Sequence, residues 1–300
     1  MGLDINIARI ADFIDEHISL VALLENGMPP FSSIEFSNNG LCNRRCIFCP
    51  RVDPGLFPNK NIHLSFELFK KAMQEIAAID YCGRISFSGF CEPLLTEDLE
   101  RYIAEGKRAC PKITVEISSN GDVLTKERLK RLFEAGLDNI RLSLYGGPQQ
   151  DEKFIKMKQE LNLDNKQFIL RRRYLSPEES YGLTISNRAG SITLINDKIK
   201  VEPLKEPLKQ PCYYPFYKMM VDYDGKVMIC SNDWQKKLIV GNLSKQSVLA
   251  VWNSREFNNA RKNLVQSNRE FAPCNLCDVN GMYNGQKHYE AWVKHYKNNP

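Results

Sequence analysis

Cys42, Cys46 and Cys49 stand on one short stretch, GLCNRRCIFCPR, spaced C-x3-C-x2-C. A structural zinc site takes four ligands, so three thiolates do not close one. They do suit a [4Fe–4S] cluster held at three of its irons, with the fourth left open to another ligand. Three ordinary buried thiols, or a zinc site completed by a distant residue, are the competing readings of the spacing alone. The flanking residues constrain the fold further. Ile34-Glu35-Phe36-Ser37 alternates like a short strand. Asn43, Pro50, Pro54, Gly55 and Pro58 keep the cysteine segment out of a helix. Ser65 is a good N-cap, and Phe66, Phe69, Met73 and Ile76 follow at helical spacing. The order is strand, cysteine loop, helix.

That unit then repeats in kind. Strand-like runs fall at 84–88, 112–118, 139–145 and 166–171, and helix-like runs at 97–109 after Thr96, at 126–135 between Thr125 and Gly136, and near 152–161. A sixth strand is expected between Tyr181 and Ile195. Alternating strands and helices predict an α/β chain whose parallel strands are joined by crossover helices. In such barrels the site sits at the C-terminal strand ends. The expected division is an N-terminal helix at 1–30, a barrel at 31–200, a linker at 201–211 marked by Pro203, Pro207 and Pro211, a cysteine-bearing unit at 212–285 and a tail or helix at 286–300. The N-terminal helix would carry Ile7, Ile10, Ile14, Ile18 and Val21 on one face. It lacks the basic region and cleavage site of a signal peptide.

Four further cysteines lie beyond the linker. Cys212 and Cys230 flank Gly225 in the pattern C-x12-G-x4-C, and Cys274 and Cys277 form C-x2-C. Asp224-Gly225 marks the turn of a hairpin that returns Cys230 toward Cys212. Zinc and iron–sulfur are evenly matched occupants on this spacing.

Taken together, these motifs resemble the radical S-adenosylmethionine (radical SAM) superfamily, in its SPASM/Twitch subgroup. The spacing is similar to that of aminocyclitol dehydrogenases and aminoglycoside epimerases within it. The resemblance implies a partial (β/α)6 TIM-type barrel with a C-terminal Twitch/SPASM-like domain. It implies one [4Fe–4S] cluster on Cys42, Cys46 and Cys49 with SAM on the open iron, and an auxiliary [4Fe–4S] cluster on Cys212, Cys230, Cys274 and Cys277. Cleavage of SAM would give a 5′-deoxyadenosyl radical that takes hydrogen from a C–H bond. Phe48 matches the aromatic residue beside the SAM adenine. Gly89 and Glu92 match the segment that holds the SAM amino group, although Phe90 and Cys91 replace smaller residues there. Ser118, Asn120 and Ser143 match strand-end polar groups near the ribose. Cys91, at the barrel mouth, is a candidate hydrogen donor to a substrate radical, and Arg171 a candidate for polarising a substrate hydroxyl.

Composition limits the alternatives. No apolar run approaches the ~20 residues that span a bilayer. Ten cysteines in a chain without a secretion signal fit a reducing cytoplasm better than a disulfide framework. The net charge of +5 is mild, and no interleaved basic and aromatic platform points to nucleic acid. Basic residues gather at Arg171-Arg172-Arg173 and from Lys153 to Lys166, where an anionic substrate competes with plain solvated surface. The expected partners are a polar small molecule and a flavodoxin- or ferredoxin-type electron donor. A peptide-modifying enzyme and a zinc-binding scaffold are the other classes.

Overall fold

The computed structural model describes residues 23–24 and 27–299; the expected helix at 1–30 falls largely outside them. Its main sheet has eight strands: β1 (Ser33–Phe36), β2 (Arg84–Phe87), β3 (Thr114–Ser119), β4 (Asn139–Leu144), β5 (Phe168–Arg172), β6 (Lys218–Val221), β7 (Lys226–Met228) and β8 (Ile239–Asn242). The spatial order is β8-β7-β6-β1-β2-β3-β4-β5. The strands from β1 to β5 are parallel to their neighbours, and β6 is parallel to β1. The hairpin β6–β7–β8 is antiparallel.

Four helices cross between the parallel strands: α1 (Phe66–Ala77), α2 (Leu99–Ala109), α3 (Lys126–Glu134) and α4 (Pro148–Glu160). Ser65 caps α1 and Thr125 caps α3, each side chain accepting a backbone N–H in the first turn. The start of α2 differs from expectation. Asp98 occupies the N-cap, while the Thr96 hydroxyl accepts from the amides of Asn38 and Asn39 at 2.8 and 3.0 Å. Phe69, Met73 and Ile76 of α1 and Ile103 of α2 are buried with Ile34, Phe36, Ile85, Phe87, Val115 and Ile117 of the sheet. Burying a side chain of this size contributes about 1.5–3 kcal/mol.

The sixth parallel strand does not lie between Tyr181 and Ile195. That segment holds a 3-10 turn at Pro177–Gly182 and, at its end, the short strand Leu194–Ile195, which pairs with Lys200–Val201 outside the main sheet. The sixth strand is β6, from beyond the proline-rich segment. Ser33 stands opposite Lys218 and Phe36 opposite Val221. The sheet therefore runs without a break from the first cysteine segment into the second.

After the hairpin come α6 (Val248–Trp252), α7 (Arg255–Val265) and α8 (Gln286–Asn298), with the short α5 (Tyr214–Tyr217) leading into β6. Ser247 and Ser254 cap α6 and α7. Arg261 is fully buried where these helices meet, its guanidinium 3.9 Å from the Trp252 ring and 4.1 Å from the Trp292 ring. It donates to the carbonyls of Pro215 and Trp252, both at 2.8 Å. Arg261→Met keeps the bulk but leaves two buried carbonyls without that donor, a loss of about 1–3 kcal/mol for each. The variant is expected to unfold at clearly lower denaturant concentration, measured by circular dichroism.

Candidate active site and sulfur centres

The first cysteine loop follows β1 directly. Cys42 is anchored through its backbone: its N–H donates to Asn59 Oδ1 at 2.9 Å, and its carbonyl accepts from Asn59 Nδ2 at 3.0 Å. Buried Arg51 donates to the same Asn59 oxygen and to the carbonyls of Gly40 and Phe90. The Cys49 N–H donates to the Cys46 carbonyl at 2.9 Å, which tightens the turn between them. Burial pushes all three thiols up, Cys46 to about 11, and Cys49 adds to the rise at Cys42 and Cys46. A bound iron cluster would supply the positive charge that holds these sulfurs as thiolates.

The end of β3 clamps this loop. Asp122 receives both Nε and Nη2 of Arg44 at 2.6 Å and the Asn43 amide at 3.0 Å. The Asn120 amide donates to Asn43 Oδ1 at 2.7 Å, and its own oxygen accepts the Asp122 N–H. Glu92 holds the clamp from below. Its carboxylate accepts from Ser119 Oγ at 2.6 Å, from the Asn120 N–H at 2.8 Å and from the Leu94 N–H at 3.1 Å. Burial raises the Glu92 carboxyl, and these donors oppose the rise. Glu92 and Asn120 are buried and do not line the cavity at the strand ends. Both residues hold the clamp in place.

The other expected residues converge. A cavity of about 440 Å³ opens at the C-terminal ends of the parallel strands, and Phe48, Cys49, Gly89, Cys91, Ser118, Ser143 and Arg171 all line it. Phe48 stacks on Tyr145 at 6.0 Å and faces Tyr181 at 5.9 Å. Gly89 has φ +87°, and a Cβ there would meet Met220 Cε at 2.3 Å, so only glycine fits. Ser143 stands opposite Arg171 in the register, and Arg171 donates to Ser118 Oγ at 3.2 Å. The Cys91 thiol lies 3.4 Å from Asn38 Oδ1 and is pushed by burial to about 12, so it remains protonated.

The sequence reading missed the charged floor of this cavity. Glu35, Arg84, Glu116, Arg141 and Lys218 project inward from five strands. Glu116 pairs with Arg84 at 3.4 Å and with Arg141, and Glu35 with Lys218. Burial alone would raise the Glu35 carboxyl, but Lys218, Ser88 and Arg84 together hold it below its ordinary value.

The second cysteine group sits beside the hairpin. Burial raises all four thiols, and Cys274 is raised further by Cys230, Cys212 and Cys277, so the four sulfurs share one locality. Arg269 ties the segment together, donating to the carbonyls of Gln210 and Pro211 before Cys212 and of Val279 and Asn280 after Cys277. Gly281 leaves the Cys212 sulfur its space, since a Cβ there would lie 2.4 Å from it. Four thiolates in one locality suit a cluster held at all four of its irons.

Glu92→Gln removes one of the two acceptor oxygens under the clamp, at a cost of about 1–3 kcal/mol. The metal-free, SAM-free variant is expected to melt below the parent chain in a thermal scan. An unchanged melting curve would return Glu92 to a purely ligand-binding role.

Comparisons with known proteins agree with this geometry. Residues 39–167 match the radical SAM superfamily, and residues 212–278 match the SPASM iron–sulfur cluster-binding domain. The S-adenosyl-L-methionine-dependent 2-deoxy-scyllo-inosamine dehydrogenase of Niallia circulans is 30% identical over 244 residues, which cover 80% of this chain and 89% of that enzyme. The solved structure of BtrN in complex with AdoMet and 2-DOIA superposes with a TM-score of 0.70 at 26% identity, over 85% of this chain and 96% of that one. The anSMEcpe structure with bound AdoMet and the Cp18Cys peptide shares the fold, with a TM-score of 0.52 at 13% identity over 90% of this chain and 96% of that one. The three-cysteine loop at the mouth of a partial barrel and the four-cysteine site beyond it are those of a radical SAM enzyme with an auxiliary iron–sulfur centre, and the chain belongs to the radical SAM superfamily, in its SPASM-containing branch.

Proposed function

We propose that the chain oxidises a hydroxyl-bearing carbon of a small polar ring compound, in the cyclitol, sugar or aminoglycoside range. The observation that carries this reading is the placement of the cavity. It reaches from Cys49 of the first sulfur centre to Tyr214 and Ser231, which flank the second, and polar side chains from six strands or strand ends line it. The similarity to a 2-deoxy-scyllo-inosamine dehydrogenase supports a ring-shaped polyol.

Bound at these sites, SAM on a cluster held by Cys42, Cys46 and Cys49 would supply the radical that takes a hydrogen atom, and a cluster held by Cys212, Cys230, Cys274 and Cys277 would supply a sink for the electron left behind. The chain's own residues do the rest. Phe48, backed by Tyr145, offers a flat apolar face to the adenine. Gly89, whose missing side chain makes room for Met220, brings bare backbone to the cavity wall. Ser118 and Ser143 present hydroxyls to the ribose or the substrate. Arg171 stays protonated at any working pH, so it polarises the substrate hydroxyl instead of taking its proton. The proton goes to Glu35, which is held ionised and whose Oε1 already accepts from Ser88 Oγ. A flavodoxin- or ferredoxin-type protein is the proposed electron donor, and the cytoplasm the proposed compartment. Among the described residues no helix is long and apolar enough to cross a membrane.

One observation favours a second reading. Cys91 faces the cavity as a protonated thiol, the form that gives a hydrogen atom back to a substrate radical and so inverts a carbon without net oxidation. Running the reaction in deuterium oxide separates the two. Oxidation is expected to give a product two hydrogens lighter, with no deuterium at the reacting carbon and one SAM consumed per turnover. A product of unchanged formula carrying one carbon-bound deuterium, lost in Cys91→Ala, would establish epimerisation instead.

A further inference from the structure

One barrel side chain meets the first cysteine loop at three alternate residues. Tyr145 follows β4 directly and lines the cavity. Its ring stacks on Phe48 at 6.0 Å, with the two planes 22° apart. The Arg44 guanidinium lies over the same ring, 4.7 Å from its centre, and is held there by two bonds to Asp122. Cys46, midway between Arg44 and Phe48 in the chain, accepts a hydrogen bond on its sulfur from the Tyr145 hydroxyl.

The turn that carries Tyr145 is itself fixed. The N–H groups of Tyr145 and Gly146 both donate to Gln150 Oε1, at 2.8 and 2.7 Å, and Gln150 stands in the first turn of α4. The barrel thus places the ring, and the cysteine loop is laid against it. Burial and Cys46 itself raise the Tyr145 phenol, so it keeps the proton it donates.

The three sulfurs differ in the donors they receive. Cys42 accepts from the backbone of Arg44 and Cys49 from that of Arg51. A backbone donor is there whatever residue occupies the position. The Cys46 donor is a side chain, and so depends on Tyr145. Hydrogen bonds to the sulfurs of an iron–sulfur cluster are among the factors that set its reduction potential. A donor favours the form that holds the extra electron, because that form puts more negative charge on sulfur.

We propose that Tyr145 is a positioning residue for the first sulfur centre: acting through Cys46, its hydroxyl raises the reduction potential of a cluster held by Cys42, Cys46 and Cys49, while its ring backs Phe48. The inference rests on the assignment of those three cysteines to a cluster and not on the oxidation reading. It concerns the electron that enters the first centre, whatever the product.

Redox titration of the anaerobically reconstituted, SAM-free enzyme, followed by electron paramagnetic resonance, tests this without a substrate. The signal of the first cluster is the one that changes when SAM is added afterwards; the second cluster is the internal control. Tyr145→Phe keeps the ring and deletes the donor. At a fixed potential it is expected to lower the reduced-to-oxidised ratio of the first cluster about three- to tenfold, a downward shift of roughly 30–60 mV, and to leave the second cluster in place. SAM affinity, measured by calorimetry on the oxidised enzyme, should hold within about twofold in Tyr145→Phe and fall about tenfold in Tyr145→Leu, which loses the ring as well. Replacing Tyr145 by 3-fluorotyrosine, a more acidic phenol and a stronger donor, should move the ratio the opposite way from Tyr145→Phe. The proposal is overturned if Tyr145→Phe leaves the ratio of the first cluster unchanged, if both clusters shift alike, or if the fluorinated chain fails to shift upward. Should Tyr145→Phe lose its iron, the sign of the shift in the fluorinated chain decides alone. Each outcome is independent of whether the product is oxidised or epimerised.

Discussion

The pairing of β1 with a parallel strand on each side organises the molecule. Ser33 to Phe36 face Arg84 to Phe87 on one flank and Lys218 to Val221 on the other. Parallel strands point their C-terminal ends the same way, so the loops leaving them emerge on one side of the sheet. The Cys42–Cys49 loop comes after β1, the Gly89–Glu92 segment after β2, and the Asn120–Asp122 clamp after β3. The hairpin that starts with β6 returns the chain to Cys230, just after β7. A difference in register here would move Glu35 to the helix-covered face and separate the two sulfur centres.

The sheet has two buried faces of opposite character. Ile34, Ile85, Val115, Ile117, Ile140 and Leu142 pack against the helices, while Glu35, Ser86, Glu116, Ser118, Arg141 and Ser143 turn into the barrel. Charges so placed are costly to desolvate, and isolated ones would not persist. Here each carboxylate meets a cation, and the hydroxyls between them join the network. Such a network contributes little net stability for its size. It does fix side-chain directions before any ligand arrives, which is what a radical enzyme requires of the groups around a reactive carbon.

Much of this was legible in the residues. The two cysteine patterns, the caps at Ser65 and Thr125, and the Asp224-Gly225 turn each depend on local chemistry, and each appears where it was expected. The misses have a common cause. An alternating strand normally reads as one apolar and one solvated face, so Glu116 and Arg141 pass for surface residues until the sheet wraps the cavity. The sixth strand was misplaced because its partner, β1, lies some 185 positions away along the chain (Ser33 to Lys218), beyond the reach of any local pattern. Glu92 fits a family motif, yet the donors that occupy its carboxylate come from β3 and its end, which only the folded sheet brings near.

The same distant pairing bears on how the chain assembles. Until residue 221 has been synthesised, β1 has a hydrogen-bonded neighbour on one flank only, and the row of amides and carbonyls beside the first cysteine loop stays open. Exposed strand edges recruit other strands, and contacts of long sequence separation form late. A truncation before β6 would therefore expose the middle of the sheet, beside a loop of three metal-binding thiols, so the C-terminal third guards the first metal centre as well as carrying the second.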